Sequence, residues 1–394
     1  MKSKIKSRVF IWGFVFQISL CLGNEGHAKF DTAMVFSGGS LQVALFLGML
    51  EGAQSLGVKP DLIIGSCGGS FAAAIAQVIP THEERLRFIQ SSEFQEYLRS
   101  PEPTQYAETM SFLKLLAGVN YRRYISDLLP PLFDQFMFYV PLNTSFPGFN
   151  QHFAEDRGVR VIMVATRLGF GPKAVEEGGV YGSSKPFQEV FFTDAGVAPL
   201  LENFQSPIAA LYPESAVQLS TDVLLGHSLD AAARASIADP YLINPAKIGE
   251  EYFMTGALDL YPIEVARTVA HHVIMTYEED YGSIVEIPIM AGTMRYPSND
   301  RLHQVQDQFA TYWIDRSDAS QIRDQIGFIP GLHDGKISLG VPADRQDYRT
   351  RTQAQWDLGK ARAIEAIQGK GYNDQSHIRN PSHERLTEGQ GPTS

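Results

Sequence analysis

The opening of the chain alternates between a charged and an apolar register. Lys2, Lys4, Lys6 and Arg8 precede an apolar run from Val9 to about Leu22, and Gly26, His27 and Ala28 follow as small or polar residues suited to a cleavage site. This pattern predicts a secretory signal over residues 1–28, too short for a spanning helix. Past it, Thr32 to Phe36 is apolar and partly β-branched, and is stopped by Ser37-Gly38-Gly39-Ser40. A buried strand is predicted there. Leu45, Leu47, Met49 and Leu50 then mark a helix, with Gly57 as its left-handed stop. The pattern repeats at once. Asp61 to Ile64 reads as a second strand, running through Gly65-Ser66-Cys67-Gly68-Gly69-Ser70 into an Ala-rich helix that ends at Pro80.

Two strand–turn–helix units in succession imply a right-handed crossover and a parallel sheet with helices on its faces. From about 81 to 150 the pattern becomes helical and irregular, with a dense apolar segment from Leu128 through Leu142. A helical insertion is expected there. Strand character returns at Val159 to Ala165, Glu189 to Thr193, Tyr252-Phe253 and His272 to Thr276, so one α/β domain is expected over 29–290. A helical extension over 291–370 follows, with helices around Gln304 to Trp313 and Ala354 to Ile367. The stretch 371–394 holds no apolar run and reads as a disordered tail.

Composition narrows the function classes. The 394 residues are 44% hydrophobic and carry a net charge of −11, which speaks against a phosphate-tracking nucleic-acid protein. Two cysteines give neither a disulfide framework nor a Cys-rich zinc site. Signal cleavage removes Cys21 and leaves Cys67 as the one thiol of an exported protein. Its final compartment is the periplasm, the outer membrane or the medium. Leu20 before Cys21 argues against lipid modification.

The segment Gly65-Ser66-Cys67-Gly68-Gly69 carries the most chemistry. A nucleophile on a sharp strand-to-helix turn needs small flanking residues, and Gly65 and Gly69 supply them. The helix that follows aims its N-terminal N–H groups at the turn, favouring a thiolate or an oxyanion. The other glycine turn offers Gly38, Gly39 and Ser40 as oxyanion donors. It lacks the Lys and hydroxyl of a P-loop and is not GxGxxG, so no nucleotide is expected. No cofactor is expected either.

Four segments in order resemble the patatin-like phospholipases: SGGSLQVALFLGML at 37–50, GSCGGS at 65–70, VRVIMVATRL at 159–168, and ARASIADPYLINPAKI at 233–248 followed by EYFMTGALDLYPIEVA at 251–266. The resemblance implies a three-layer fold with a mainly parallel central sheet, and acyl-ester hydrolysis on phospholipids by a Ser and Asp dyad. Mapped residue by residue, the Ser position is Cys67 and the Asp position, opening the DGG or DGA motif, is Thr255. The family's third loop glycine and its usual basic residue are Ser40 and Gln42 here.

A thiol needs less help from a base than a hydroxyl does, so two readings follow. In one, hydrolysis is weakened or rerouted through Cys67, its base being absent, or Asp259, or a His that sequence does not place. In the other, hydrolysis is lost, Cys67 is a small buried residue, and the fold serves as a non-catalytic lipid- or partner-binding module, a pseudoenzyme. Asp194 in Thr193-Asp-Ala-Gly196 offers a rival DGA-like motif, with a turn or capping role as the simpler reading. The expected ligand is a lipid or acyl ester. The aromatic stretch from Leu128 to Leu142 serves as core or as peripheral membrane contact. His271-His272 would point to opposite faces of a strand, so no metal site is expected. Asn143-Thr-Ser145 has the form of a glycosylation sequon and decides nothing.

Overall fold

The computed structural model describes residues 28–38, 41–125, 127–141, 144–154, 158–183, 185–281, 291–318, 331–333 and 335–369, with backbone alone for 120, 122–125 and 331–333. Residues 1–27 of the expected signal over 1–28, the tail from 371 and the sequon residue Asn143 lie outside the described residues. Strands β1 (Phe30–Phe36) and β2 (Leu62–Ser66) are followed by a small ribbon of β3 (Glu102–Pro103) and β4 (Phe138–Tyr139). Then come β5 (Arg160–Leu168), β6 (Phe187–Phe192), β7 (Asp222–Leu224), β8 (Ala246–Ile248), β9 (Glu251–Met254), β10 (Ala270–Tyr277) and β11 (Tyr312–Asp315). The central sheet runs β11-β10-β1-β2-β5-β6-β7, with β9 on β5 and β8 on β9. Its first five strands pair in parallel, and the β5–β6, β5–β9 and β8–β9 pairs are antiparallel.

Side-chain alternation along the central strands divides the core into two layers. Met34, Phe36 and Ile63 pack into one apolar cluster and Ala33, Val35, Leu62 and Ile64 into the other. Because both sheet faces are covered, these strands are apolar at nearly every position rather than at every second one. On the first face lie helices α1 (Val43–Ser55) and α2 (Gly68–Val78), together with the C-terminal helix Arg345–Gln368. On the other lie the helices Ile263–Val269 and Ser298–Gln306.

The C-terminal helix explains why α1 is buried on every side rather than along one stripe. A Cβ on Gly48 of α1 would stand 2.1 Å from the Trp356 carbonyl oxygen, so the two helices cross backbone to backbone. Glu51 of α1 accepts from Trp356 Nε1 at 2.5 Å and from Lys360 Nζ at 2.8 Å. An apolar helix sandwiched between a sheet and a second helix has little face left for polar residues, and the carboxylate it does carry, Glu51, is bonded to the covering helix.

Between 81 and 150 the chain forms helices His82–Ile89, Ser92–Arg99 and Thr109–Ile125, with the β3–β4 ribbon among them and no helix in the described residues past 127. Within the dense apolar segment, Leu129, Leu132, Met137, Phe138 and Val140 are buried while Leu128 is exposed. The extension past 290 ends in the expected helix but differs nearer its start. The Ser298–Gln306 helix stops at Gln306, and Tyr312–Asp315 adds a parallel edge strand to β10 instead of continuing the helix. The physical reason is the short apolar triplet Tyr312-Trp313-Ile314, which Trp313 and Ile314 bury on opposite faces of the sheet.

Candidate active site

Cys67 sits between β2 and α2 with φ 50° and ψ −126°, a positive φ that side chains other than glycine rarely adopt. Such a strained turn persists only where its surroundings hold it. Here one hydroxyl does much of the holding. Ser236, at the end of the helix Leu229–Ser236, accepts from the Cys67 backbone N–H at 2.9 Å and from the Ser70 hydroxyl at 2.8 Å, while donating to the Val164 carbonyl at 2.6 Å. Its one proton and two lone pairs are thereby all used. The elbow is tied to the neighbouring strand β5 through a single fully buried side chain.

The turn after β9 approaches the elbow from the other side. Ser66 donates to the Gly256 carbonyl at 2.7 Å, and a Cβ on Gly256 would lie 2.5 Å from Ser66 Oγ and 2.7 Å from the Cys67 nitrogen. Only glycine fits this approach. Thr255 is thus delivered beside Cys67, fully buried, with its Oγ1 accepting from the Ala257 N–H at 2.8 Å. Its own proton goes to Asp239 Oδ1.

Asp239 is the residue that sequence reasoning passed over. It follows the Leu229–Ser236 helix, within the Ala-Asp-Pro turn at 238–240, and both its oxygens face the thiol: Oδ1 at 3.7 Å and Oδ2 at 3.6 Å from Cys67 Sγ. Burial pushes its carboxyl up to about 6, with the hydrogen bonds from Thr255 and Cys67 pulling the other way. At neutral pH it is therefore mostly a carboxylate, and a more basic one than an exposed Asp. Its pairing with Cys67 spans 172 positions of sequence, and the signal available was an Asp-Pro immediately after a helix within the 233–248 segment.

The other expected site residues fall as follows. Cys67 and Thr255 are brought together, with Asp239 between them. Asp259 is not part of this group. Its carboxylate is held by Arg301, 3.2 Å away, in a buried cluster that also contains Glu264. Gly65 is the last residue but one of β2 and Gly69 the second of α2, flanking the elbow. Gly38 is buried against the Leu260 side chain, and Gly39 and Ser40 lie outside the described residues. Asp194 pairs with Arg160 and accepts from the Gly196 N–H at 2.9 Å and the Val197 N–H at 3.2 Å, which makes it a turn former. His271 and His272 are exposed, and no group of metal-ligating side chains occurs among the described residues. No helix among those residues is long and apolar enough to cross a membrane.

Chemically the group offers a thiol on a strained apex, a carboxylate within reach of its proton, and the N-terminal amides of α2 beneath it. A comparison with solved structures finds VipD from Legionella pneumophila at 10% identity, covering 84% of this chain and 67% of that one, with a TM-score of 0.29. A likeness that loose adds nothing to the assignment. No curated protein matches the chain. The family model of the patatin-like phospholipases matches residues 34–267, from β1 through the turn that carries Thr255 and Gly256 into the helix after it. The chain belongs to the patatin-like phospholipase family.

Proposed function

We propose that the protein is an exported acyl-ester hydrolase of the lipid class in which Cys67 is the nucleophile and Asp239 the base. One observation carries this reading: the placement of both Asp239 oxygens at 3.6 to 3.7 Å from a thiol on a strained elbow. Asp239 takes the Sγ proton as the sulfur attacks the ester carbonyl carbon, and the glycine turn and α2 amides receive the developing oxyanion. The alcohol leaves with the proton that Asp239 returns. Water then hydrolyses the thioester, again with Asp239 as proton acceptor, freeing the fatty acid and the thiol.

The proton transfer decides why sulfur suits this site. Burial raises the Asp239 carboxyl to about 6, which makes its carboxylate a better acceptor for a thiol proton than an exposed Asp would be. The nearby carboxylate also disfavours a free thiolate before substrate arrives, so the proton moves with the attack rather than ahead of it. That arrangement protects a lone thiol from oxidation outside the cytoplasm.

Turnover of a short-chain p-nitrophenyl ester and of phosphatidylcholine vesicles by the wild type, Cys67→Ala and Asp239→Asn tests the reading. Activity lost in both variants supports it; activity kept in Cys67→Ala overturns it. A second reading, a lipid-binding module without turnover, draws on the 7% exposure of Cys67, which leaves little of the thiol open to a substrate. Binding of phosphatidylcholine vesicles with no hydrolysis would favour it. Export rests on the charged and apolar N-terminal pattern, and the N-terminal sequence of protein recovered from outside the cytoplasm tests it.

A further inference from the structure

The glycine turn leaves β1 at Ser37 and enters α1 at Gln42, and both shoulders are tied to strand ends outside the family-matched residues. The Ser37 and Thr276 hydroxyls bond at 2.8 Å, and Thr276 lies near the end of β10. Two residues later Glu278 forms an ion pair with Arg316 at 2.6 Å. Arg316 directly follows β11, and its backbone N–H donates to the Tyr277 carbonyl at 2.8 Å. Its guanidinium donates to Gln42 Oε1 and lies 5.4 Å from the centre of the Phe46 ring.

The side chains of Arg316 and Glu278 are only 5% and 9% exposed. A buried ion pair gains little stability over well-packed apolar residues, so stability alone does not account for it. What the pair does supply is direction. The guanidinium spans from strand end to turn, with Nη1 2.6 Å from Glu278 Oε1, Nη2 donating to Gln42 Oε1 and the Phe46 ring centre 5.4 Å from its carbon.

We propose that Thr276, Glu278 and Arg316 form a clamp that grips the glycine turn at both shoulders, Ser37 and Gln42, with Arg316 as the positioning residue that fixes Gly38 relative to Cys67. The effect of the clamp on rate rests on the hydrolase reading; its mechanical effect on the turn does not. Oxyanion donors are useful only when held in place before the charge develops, and the turn has no disulfide or metal among the described residues to hold it.

Hydrogen exchange of peptides spanning 36–47, measured beside hydrolysis of a short-chain p-nitrophenyl ester, tests the clamp in the full chain. The variants are Arg316→Gln, Gln42→Leu and the exchanged pair Arg316→Gln with Gln42→Arg. Both single substitutions are expected to speed exchange at 36–47 by about tenfold while exchange in the C-terminal helix stays within about twofold. They should lower kcat about fivefold or more with KM within about twofold. The exchanged pair should recover much of both losses. Should Arg316→Gln fail to fold, Gln42→Leu decides alone, since it keeps the Arg316–Glu278 pair. Unchanged exchange at 36–47 in the folded variants, or an exchanged pair no better than the singles, overturns the clamp. A wild type without turnover whose turn still loosens would sink the hydrolase reading and leave the clamp standing.

Discussion

Thr255 donates its hydroxyl proton to Asp239, so a buried threonine on the turn after β9 orients a carboxylate that arrives from a different segment and faces Cys67. The two residues lie 16 positions apart, and together they place a carboxylate beside the Cys67 thiol. Asp239→Asn keeps the shape and removes the base. We expect kcat/KM to fall by about 100-fold or more, within the range typical of a lost general base. In the wild type, kcat/KM should climb with pH up to about 6, where the Asp239 carboxyl ionises, and this limb should vanish in Asp239→Asn. Steady-state rates between pH 4.5 and 8 check both.

Thr255→Val isolates the second contact. The Thr255 hydrogen bond favours the ionised form of Asp239, so its removal leaves burial less opposed and raises the carboxyl further. The acidic limb of the pH profile should move to higher pH with the plateau rate little changed. A limb that stays in place or moves down would show that Thr255 does not act through Asp239.

Gly256→Ala should damage the elbow directly. The new methyl would stand 2.5 Å from Ser66 Oγ and 2.7 Å from the Cys67 backbone nitrogen, and the second, being backbone, has no rotamer by which to swing away. A loss of about 1–3 kcal/mol in denaturant unfolding is expected, the usual cost of overpacking. The same change at Gly57, where nothing stands within 4 Å but φ is +83°, would be destabilising through backbone strain alone.

Glu189 gives a pH-dependent stability test away from the thiol. It is fully buried in β6, and burial first, then the Asp259 carboxyl, push it from 4.5 up to about 8 against the pull of Arg301. Because its folded value is raised, its contribution to stability is complete below about 4.5 and is lost as pH rises toward 8. Glu189→Gln removes that loss. The melting temperature of the variant minus that of the wild type should therefore grow between pH 5 and 8, and a difference that is flat or shrinks with pH would count against it.

How much of this was legible in the sequence depends on how local each signal is. The strand, glycine turn and helix around Cys67 could be read directly, because each rests on neighbouring residues, and the same holds for the first unit ending at Gly57. Asp239 could not. Its role comes from tertiary placement after the Leu229–Ser236 helix, and an Asp before Pro240 looks in sequence like an ordinary turn. Asp259 drew attention through its nearness to Thr255, yet the chain turns at 256–259 and carries it toward Arg301. Strand β11 was hidden for a different reason: four residues following a helix carry too short an alternation to separate from helical continuation.

The central claim is that an acyl group passes through the sulfur of Cys67. Mass spectrometry of protein quenched in acid during turnover of a short-chain p-nitrophenyl ester tests it most directly. The account predicts one acyl group per chain, mapped to the peptide carrying Cys67 and absent from Cys67→Ala. Turnover without any acylated Cys67 peptide, or an acyl group mapped to another residue, would contradict it.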